Sequence, residues 1–414
     1  MTAQATRVRP RIAPPDGVAR LLVAVRGDGR SVSLAEHHAI NGPLPVERDL
    51  IELVEASRLR GRGGGSFPTG QKLRAVASQR GRPVVVVNAA EGEPASKKDK
   101  ALLHHVPHLV LDGAAAAAAV LGADSVVVAL GGRARAEHSG LARAIAERRD
   151  RLRWRIAPIS DGFVAGEETA LIAALAGRAA KPTTKPPYPF ESGVGGAPTL
   201  VQNVETLAHL ALIARFGPEW FRSLGTEAEP GTALVTLSGA VARPGVYEIE
   251  LGTRLSELVA QAGGATEPSD AFLVGGYFGA WTRDADLHLN SANGLGAGVV
   301  VALPARSCAL RESARVARFL AAESAGQCGP CVHGLQALAD GLDRLAHGRA
   351  GDRGSQLERW ASEVVGRGAC RHPDGAANFV TSTLSVFADE VARHVRHGGC
   401  GRTDRGILPV GGDA

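Results

Sequence analysis

Aromatic side chains make up only 4% of this 414-residue chain, and the first 300 residues contain no cysteine. The five cysteines, at 308, 328, 331, 370 and 400, all fall near the C-terminal end, with a single C-x2-C pair among them. In a reducing compartment that distribution argues against disulfides and for metal chemistry. Long apolar runs are missing as well. The longest, "LVLDGAAAAAAVLGADSVVVALGG", is interrupted by Asp112 and Asp124. It predicts no direct membrane span, but an Ala-rich helix followed by a buried strand over Ser125–Leu130. Charge of one sign is not concentrated either: the net charge is +5. The Arg-rich stretches "RGRPV" and "RRDRLRWR" lack interleaved aromatics and read as solvated faces, so no nucleic-acid partner is expected. The opening "MTAQATRVRPRIAPPDG" has no apolar h-region of a signal peptide, which points to the cytoplasm.

What remains is a globular chain, 44% apolar and 21% charged, long enough for two or three domains. Residues 44 to 230 alternate helical and strand patterns. "VERDLIELVEAS" is amphipathic, "RPVVVVNAAEGEP" and "DSVVVALGG" are short continuous apolar strands, and "EETALIAALAGR" is a helix with acids in its first turn. Strands buried on both faces indicate a parallel α/β layer. Between 233 and 264 the order is strand, Arg-Pro-Gly turn, strand and short helix, as in a β-grasp unit. From Ser313 onward the pattern is helical, with stripes at Leu335, Leu338, Leu342, Leu345 and at Val380, Leu384, Phe387, Val391. The segment "HGRAGDRGSQ" between them reads as a loop. The expected division is residues 1–230, 231–305 and 306–414.

The stretch "GRGGGSFPTGQKL", residues 61–73, has five glycines in its first ten positions. Glycine loses more backbone freedom on folding than any other residue, so such a loop implies a need for backbone without side chains. It fails the phosphate-loop spacing, because Gln71 stands where the lysine belongs and Leu73 follows Lys72. It fails the dinucleotide fingerprint too, because Ser66 takes the third glycine. Exposed N–H groups with Arg62 and Lys72 nevertheless suit a phosphate-bearing or flat ligand.

Asn88, Glu91 and Glu93 follow a buried strand, at the edge where α/β sheets bind ligands. Glu167 and Glu168 begin a helix, where helix-end electrostatics alone would account for them. Asn203, Glu205 and Thr206 equally suit a helix start. Cys328 and Cys331, with Cys370 after them, suggest zinc or iron–sulfur, a buried structural pair being the plainer alternative. The triplet His104, His105, His108 has no acidic or cysteine neighbours in sequence and reads as structural.

Taken in order, "GRGGGSFPTGQK", "NAAEGEPASKKD", "GEETALIAALAGR", "KPPYP", "QNVETLAH" and "ESAGQCGPC" resemble the NADH-binding flavoprotein subunit of complex I. That family, the F-type subunits of NADH:quinone oxidoreductase, is related to the diaphorase subunits of NAD-linked hydrogenases and formate dehydrogenases. The resemblance spans roughly residues 44 to 400. It implies a Rossmann-like FMN/NADH-binding α/β domain, a small β-grasp domain of the SLBB type, and a C-terminal helical bundle holding a [4Fe–4S] cluster. The implied FMN contacts are Gly61, Gly63, Lys72, Asn88, Gly166, Glu167, Val201 and Asn203. The implied NADH contacts are Gly64, Phe67, Lys72, Glu93, Glu168 and Lys185, with Tyr188 stacking on the nucleotide. Glu93 and Lys72 are the implied catalytic residues. The implied activity is hydride transfer from NADH to FMN, with single electrons passing on to an iron–sulfur centre. The implied partner is a ferredoxin-like or thioredoxin-like [2Fe–2S] subunit, in the cytoplasm or peripheral to a membrane-bound redox complex.

Against the family pattern, Ser66 replaces a glycine, Phe163 a tyrosine, Gln202 an asparagine and Ala90 an aspartate that bonds the flavin. Loss of one charge-assisted hydrogen bond costs about 1.5–3 kcal/mol, roughly ten- to a hundredfold in affinity. Ala325 replaces the first cluster cysteine. Cys328, Cys331 and Cys370 match the other three, which suit a [3Fe–4S] cluster or a [4Fe–4S] cluster with another fourth ligand. Cys400 is the first candidate for that ligand and Cys308 a weaker one. The alternatives are a redox-inactive, partner-binding homologue and a diaphorase that reduces its acceptor directly from flavin.

Overall fold

The computed structural model describes residues 18–45, 49–349 and 354–411. The opening segment of the chain and residues 350–353 of the stretch expected to be a loop lie outside the described residues, and residues 354–356 of that stretch begin a helix instead.

The first sheet is parallel and four-stranded, in the order β3-β2-β1-β4, with β1 Val84–Ala89, β2 Ser125–Gly131, β3 Arg153–Ile159 and β4 Thr199–Asn203. Val85, Val86 and Val87 of β1 and Val126, Val127 and Val128 of β2 are buried, as their unbroken apolar runs predict. The "RLRWR" stretch forms edge strand β3, whose arginines alternate outward. The Ala-rich helix Pro107–Leu121 is buried along nearly its whole length and packs against helix Val204–Arg222. In sequence, β2 follows β1, whereas in space β1 also borders β4. The strand order therefore reverses at β1, which makes the ends of β1 and β4 the natural ligand crevice.

The second sheet is mixed, in the order β6-β5-β9-β7-β8. Its strands are β5 Thr232–Gly239, β6 Gly245–Glu250, β7 Ser269–Val274, β8 Ala280–Thr282 and β9 Val299–Pro304. Helix Leu255–Gln261 covers it, completing the β-grasp order read from the sequence. Beyond it lie the helices Ala309–Ala322, Leu335–Ala346, Gly354–Val364, His372–Val386 and Ala388–His397. Their stripes at Leu335, Leu338, Leu342 and Leu345, and at Val380, Leu384 and Phe387, are buried together.

Buried polar groups join the first sheet's layer to the second. Glu205 accepts from the Leu234 N–H at 2.8 Å and pairs with Lys98 Nζ at 2.9 Å. Arg62 donates to the Thr232 carbonyl at 3.0 Å. Near the chain start, the backbone N–H groups of Arg20, Leu21 and Leu22 all reach the Glu248 carboxylate.

Candidate functional site

A cavity of about 880 Å³ opens at the C-terminal ends of β1 and β4, a size suited to a cofactor-sized ligand. Its floor is set by register: Asn88 on β1 sits directly beside Asn203 on β4. Both side chains are oriented. Asn88 donates to the Gly166 carbonyl at 2.8 Å. The Asn203 oxygen caps helix Val204–Arg222 by accepting from the N–H groups of Glu205 and Thr206, while its amide donates to Asp99 at 2.6 Å. Asn203 thus starts a helix and also borders the cavity.

The glycine stretch is a hairpin whose stem is closed by the Gly61 N–H to the Phe67 carbonyl, 2.9 Å, and the Thr69 N–H to the Leu59 carbonyl, 2.9 Å. Its tip, Gly63 to Ser66, lines the cavity. Gly64 adopts φ +96°, a conformation costly for any other residue, and a Cβ on Gly65 would meet nothing within 4 Å. The loop therefore presents bare backbone to open space. Across the cavity lie the Gly275–Phe278 turn after β7 and the Gly294–Ala297 loop, and the third wall is Cys370, Arg371, His372 and Asn378. Asn378 ties this wall to the second by donating to the carbonyls of Phe278 and Gly279 at 3.1 and 2.9 Å.

Glu93 faces the cavity with its carboxylate in protein. It accepts from the N–H groups of Tyr277 at 2.8 Å and Ala95 at 3.3 Å. A Cβ on Gly276, at φ +82°, would fall 2.6 Å from the Glu93 Oε2 atom, so this approach requires glycine. Desolvation outweighs both hydrogen bonds and raises the Glu93 pKa to about 7.

Of the residues expected from sequence, Gly63, Gly64, Asn88, Glu93, Gly166, Glu167, Asn203 and Cys370 line this cavity. Lys72, Glu168 and Lys185 form an ion cluster reached through Glu167: Lys72 lies 3.0 Å and Lys185 2.6 Å from Glu168, and Lys185 lies 3.2 Å from Glu167. These lysines hold the Glu168 carboxyl below its ordinary range against the effect of burial. Glu167 is also the cap of helix Glu168–Leu175, so the helix-end reading and the site reading both apply to it. Gly61 lies in the hairpin stem and Val201 is buried within β4. Phe67 and Tyr188 are exposed, at 55% and 43%, and Tyr188 stacks on Phe190 with ring centroids 5.3 Å apart. Arg62, expected to face a phosphate, turns its guanidinium into the protein toward Thr232 and Glu205.

Among the cavity residues that the sequence does not announce are two buried charges. Lys98 and Asp99 pair at 2.8 Å within a buried network that includes Glu205 and Asn203. Both lie in "ASKKDK", where the run of charges looks like an exposed helix start.

Cys328, Cys331 and Cys370 are close enough to influence one another's ionisation. Burial disfavours the Cys328 thiolate, but backbone N–H groups of Cys331 and Ala369 outweigh it and lower its pKa. Cys400 is not with them. The chain turns at Gly398 after the last helix and returns beside Ser307, which places Cys400 with Cys308, Glu390 and His394. Neither Cys400 nor Cys308 thus supplies the fourth position left by Ala325.

Three family models match along the chain. The Nuo51 FMN-binding domain covers residues 54–212, the SLBB domain 234–276 and the NADH-ubiquinone oxidoreductase-F iron-sulfur binding region 311–394. The second F-type NADH-quinone oxidoreductase subunit of Rhizobium meliloti (strain 1021) is 33% identical over 379 residues, covering 85% of this chain and 90% of its own. The chain belongs to the family of F-type NADH-quinone oxidoreductase subunits. A further member, from Mycobacterium tuberculosis (strain ATCC 25618 / H37Rv), is 34% identical over 388 residues, covering 85% of this chain and 86% of its own. The family's three-part architecture recurs in the crystal structure of an NAD+-reducing [NiFe]-hydrogenase in the H2-reduced state. That match has a TM-score of 0.80 at 30% identity and covers 85% of this chain. The chain spans 63% of that hydrogenase chain.

The residues present fit the groups the family implies. The glycine-rich hairpin tip, the paired Asn88 and Asn203 and the size of the hollow suit a flat phosphorylated cofactor. Three thiols, one with N–H groups directed at its sulfur, suit an iron–sulfur cluster. Among the described residues no helix is long and apolar enough to cross a membrane.

Proposed function

We propose that this chain is an NADH-oxidising flavoprotein electron-transfer subunit, an NADH dehydrogenase within a multi-subunit redox complex. The observation that carries this reading is a single cavity whose wall includes both Glu93 and Cys370. FMN held there would supply the two-electron to one-electron chemistry that links NADH to an iron–sulfur centre. The protein's own part is positioning. The Gly63–Ser66 tip admits flat rings to the backbone, and Asn88 and Asn203 present amides at the floor. Lys72 and Lys185, with their partners Glu167 and Glu168, supply charge for the nucleotide phosphates and ribose. Phe67 and Tyr188, exposed at the surface, are suited to stacking on NADH. Glu93, with a pKa raised to about 7, is able to hold or release a proton at its carboxylate near neutrality.

Cys328, Cys331 and Cys370 would hold the iron–sulfur cluster in this reading, and of these Cys370 lines the cavity. The cluster would supply one-electron carriage, and the partner in this reading is a ferredoxin-like or thioredoxin-like [2Fe–2S] subunit, in the cytoplasm or at the periphery of a membrane complex. The test is anaerobic purification followed by titration with NADH. The expected sample is yellow-brown, contains flavin, iron and sulfide, and bleaches on NADH addition. A colourless protein that takes up neither nucleotide would refute the assignment.

A further inference from the structure

Outside the redox cavity, four potential metal ligands converge at the junction of the second sheet and the helical bundle. The ligand atoms of Cys308, Glu390, His394 and Cys400 all lie within 4.8 Å of one another. Cys308, Glu390 and His394 are fully buried, with exposures of 0%, 1% and 1%. Glu390 and His394, four residues apart on the last helix, project from one face. Cys308 precedes helix Ala309–Ala322, and its N–H donates to the Thr403 carbonyl at 2.8 Å. That bond and the parallel bridge between Ser307 and Thr403 hold the Cys400 segment against Cys308.

We propose that Cys308, Glu390, His394 and Cys400 form a structural site for one Zn²⁺ ion, distinct from the iron–sulfur ligands. Four convergent donors in a buried place describe a closed tetrahedral site, and two thiolates with one imidazole favour zinc over hard cations. The Cys308 sulfur lies 3.2 Å from Glu390 Oε1 and 3.4 Å from His394 Nε2. Ligands about 2.0–2.3 Å from a tetrahedral zinc are separated by about 3.3–3.8 Å, so little rearrangement is needed. Binding releases the two thiol protons. The resulting thiolates and the Glu390 carboxylate carry three negative charges, of which zinc neutralises two. The remaining charge faces Arg402, 3.1 Å from Glu390 Oε2 and 2.7 Å from Asp270. This contact occupies Oε2, while Oε1, which accepts from the Leu310 N–H at 3.2 Å, keeps its second lone pair for the metal. The His394 Nδ1 atom is buried without a well-formed hydrogen bond, although the Ala346 carbonyl interacts with the ring. Metal binding at Nε2 would favour a proton on Nδ1, directed to such an acceptor.

The test uses the full chain, purified anaerobically, with zinc and iron measured by mass spectrometry. About one zinc per chain is expected. Cys400→Ser should lose zinc and keep wild-type iron and flavin, whereas Cys328→Ala should lose iron and keep zinc. Should Cys400→Ser fail to fold, wild-type protein stripped of zinc and loaded with Co²⁺ decides. Thiolate-to-cobalt charge transfer with intense tetrahedral visible bands supports the site. Absence of those bands, a Cys308–Cys400 disulfide in the anaerobic sample, or full zinc retention in folded Cys400→Ser overturns it.

Discussion

The Glu93 carboxylate accepts a 2.8 Å hydrogen bond from the backbone N–H of Tyr277, 184 positions further along the chain. One contact therefore fixes a cavity carboxylate and joins the first sheet's layer to the second.

Because the folded Glu93 pKa lies near 7 and its ordinary value is 4.5, folding disfavours the ionised form. Its contribution to stability is fully present below about pH 4.5 and is lost as pH rises toward 7. Glu93→Gln keeps a carbonyl acceptor for Tyr277 and removes the charge. The variant should melt higher than wild type at pH 8, with the difference vanishing at pH 4. It should also retain flavin while losing any inflection near pH 7 in NADH-dependent flavin reduction, followed by stopped flow. An unchanged pH–rate profile would remove Glu93 from the reaction.

Gly64→Ala should destabilise the chain by about 1–2 kcal/mol, since φ +96° is strained for any Cβ-bearing residue. Flavin per chain should fall with it. Urea denaturation and absorbance of the gel-filtered protein measure the two effects separately.

Lys98 compensates two buried carboxylates, Asp99 at 2.8 Å and Glu205 at 2.9 Å. Lys98→Met takes this cation from Asp99 and leaves Glu205 with Arg62, 3.9 Å away, a loss of the kind that costs about 3–5 kcal/mol in buried sites. Denaturant titration should show that loss at pH 8, with partial recovery at pH 5, where Asp99, whose pKa is raised to about 6 even with Lys98 present, takes up a proton.

Ala325→Cys restores the fourth cluster thiol of the family pattern. Iron and sulfide retained after exposure to air should rise above the wild-type level. Equal retention in both proteins would mean that a fourth ligand is already present.

Much of the architecture was legible locally. The apolar runs of β1 and β2 and the leucine stripes of the bundle carry their own periodicity, and the glycines of the hairpin announce a backbone-lined site. Strand β3 was hidden because its arginines face solvent on a sheet edge, where the apolar signal falls to every second residue. Strand β4 was hidden by its length of five residues. The cavity's opposite walls were harder still. Gly276 and Phe278 acquire their roles only when the second sheet folds over the first, and Lys98 looks like an exposed lysine until Glu205 is placed beside it. Cys400 was misdirected by proximity in sequence to the cluster cysteines. The turn at Gly398 sends its segment toward Ser307 instead, where Thr403 pairs with Ser307 across 96 residues that no local pattern encodes.

The hollow bounded by Gly64, Gly275 and Cys370 has no boundary that any one third of the polypeptide supplies alone. During synthesis it cannot close until Cys370 and Asn378 have left the ribosome. A chain shortened ahead of that point would lack the third wall of the hollow, leaving the glycine hairpin open to solvent on that side.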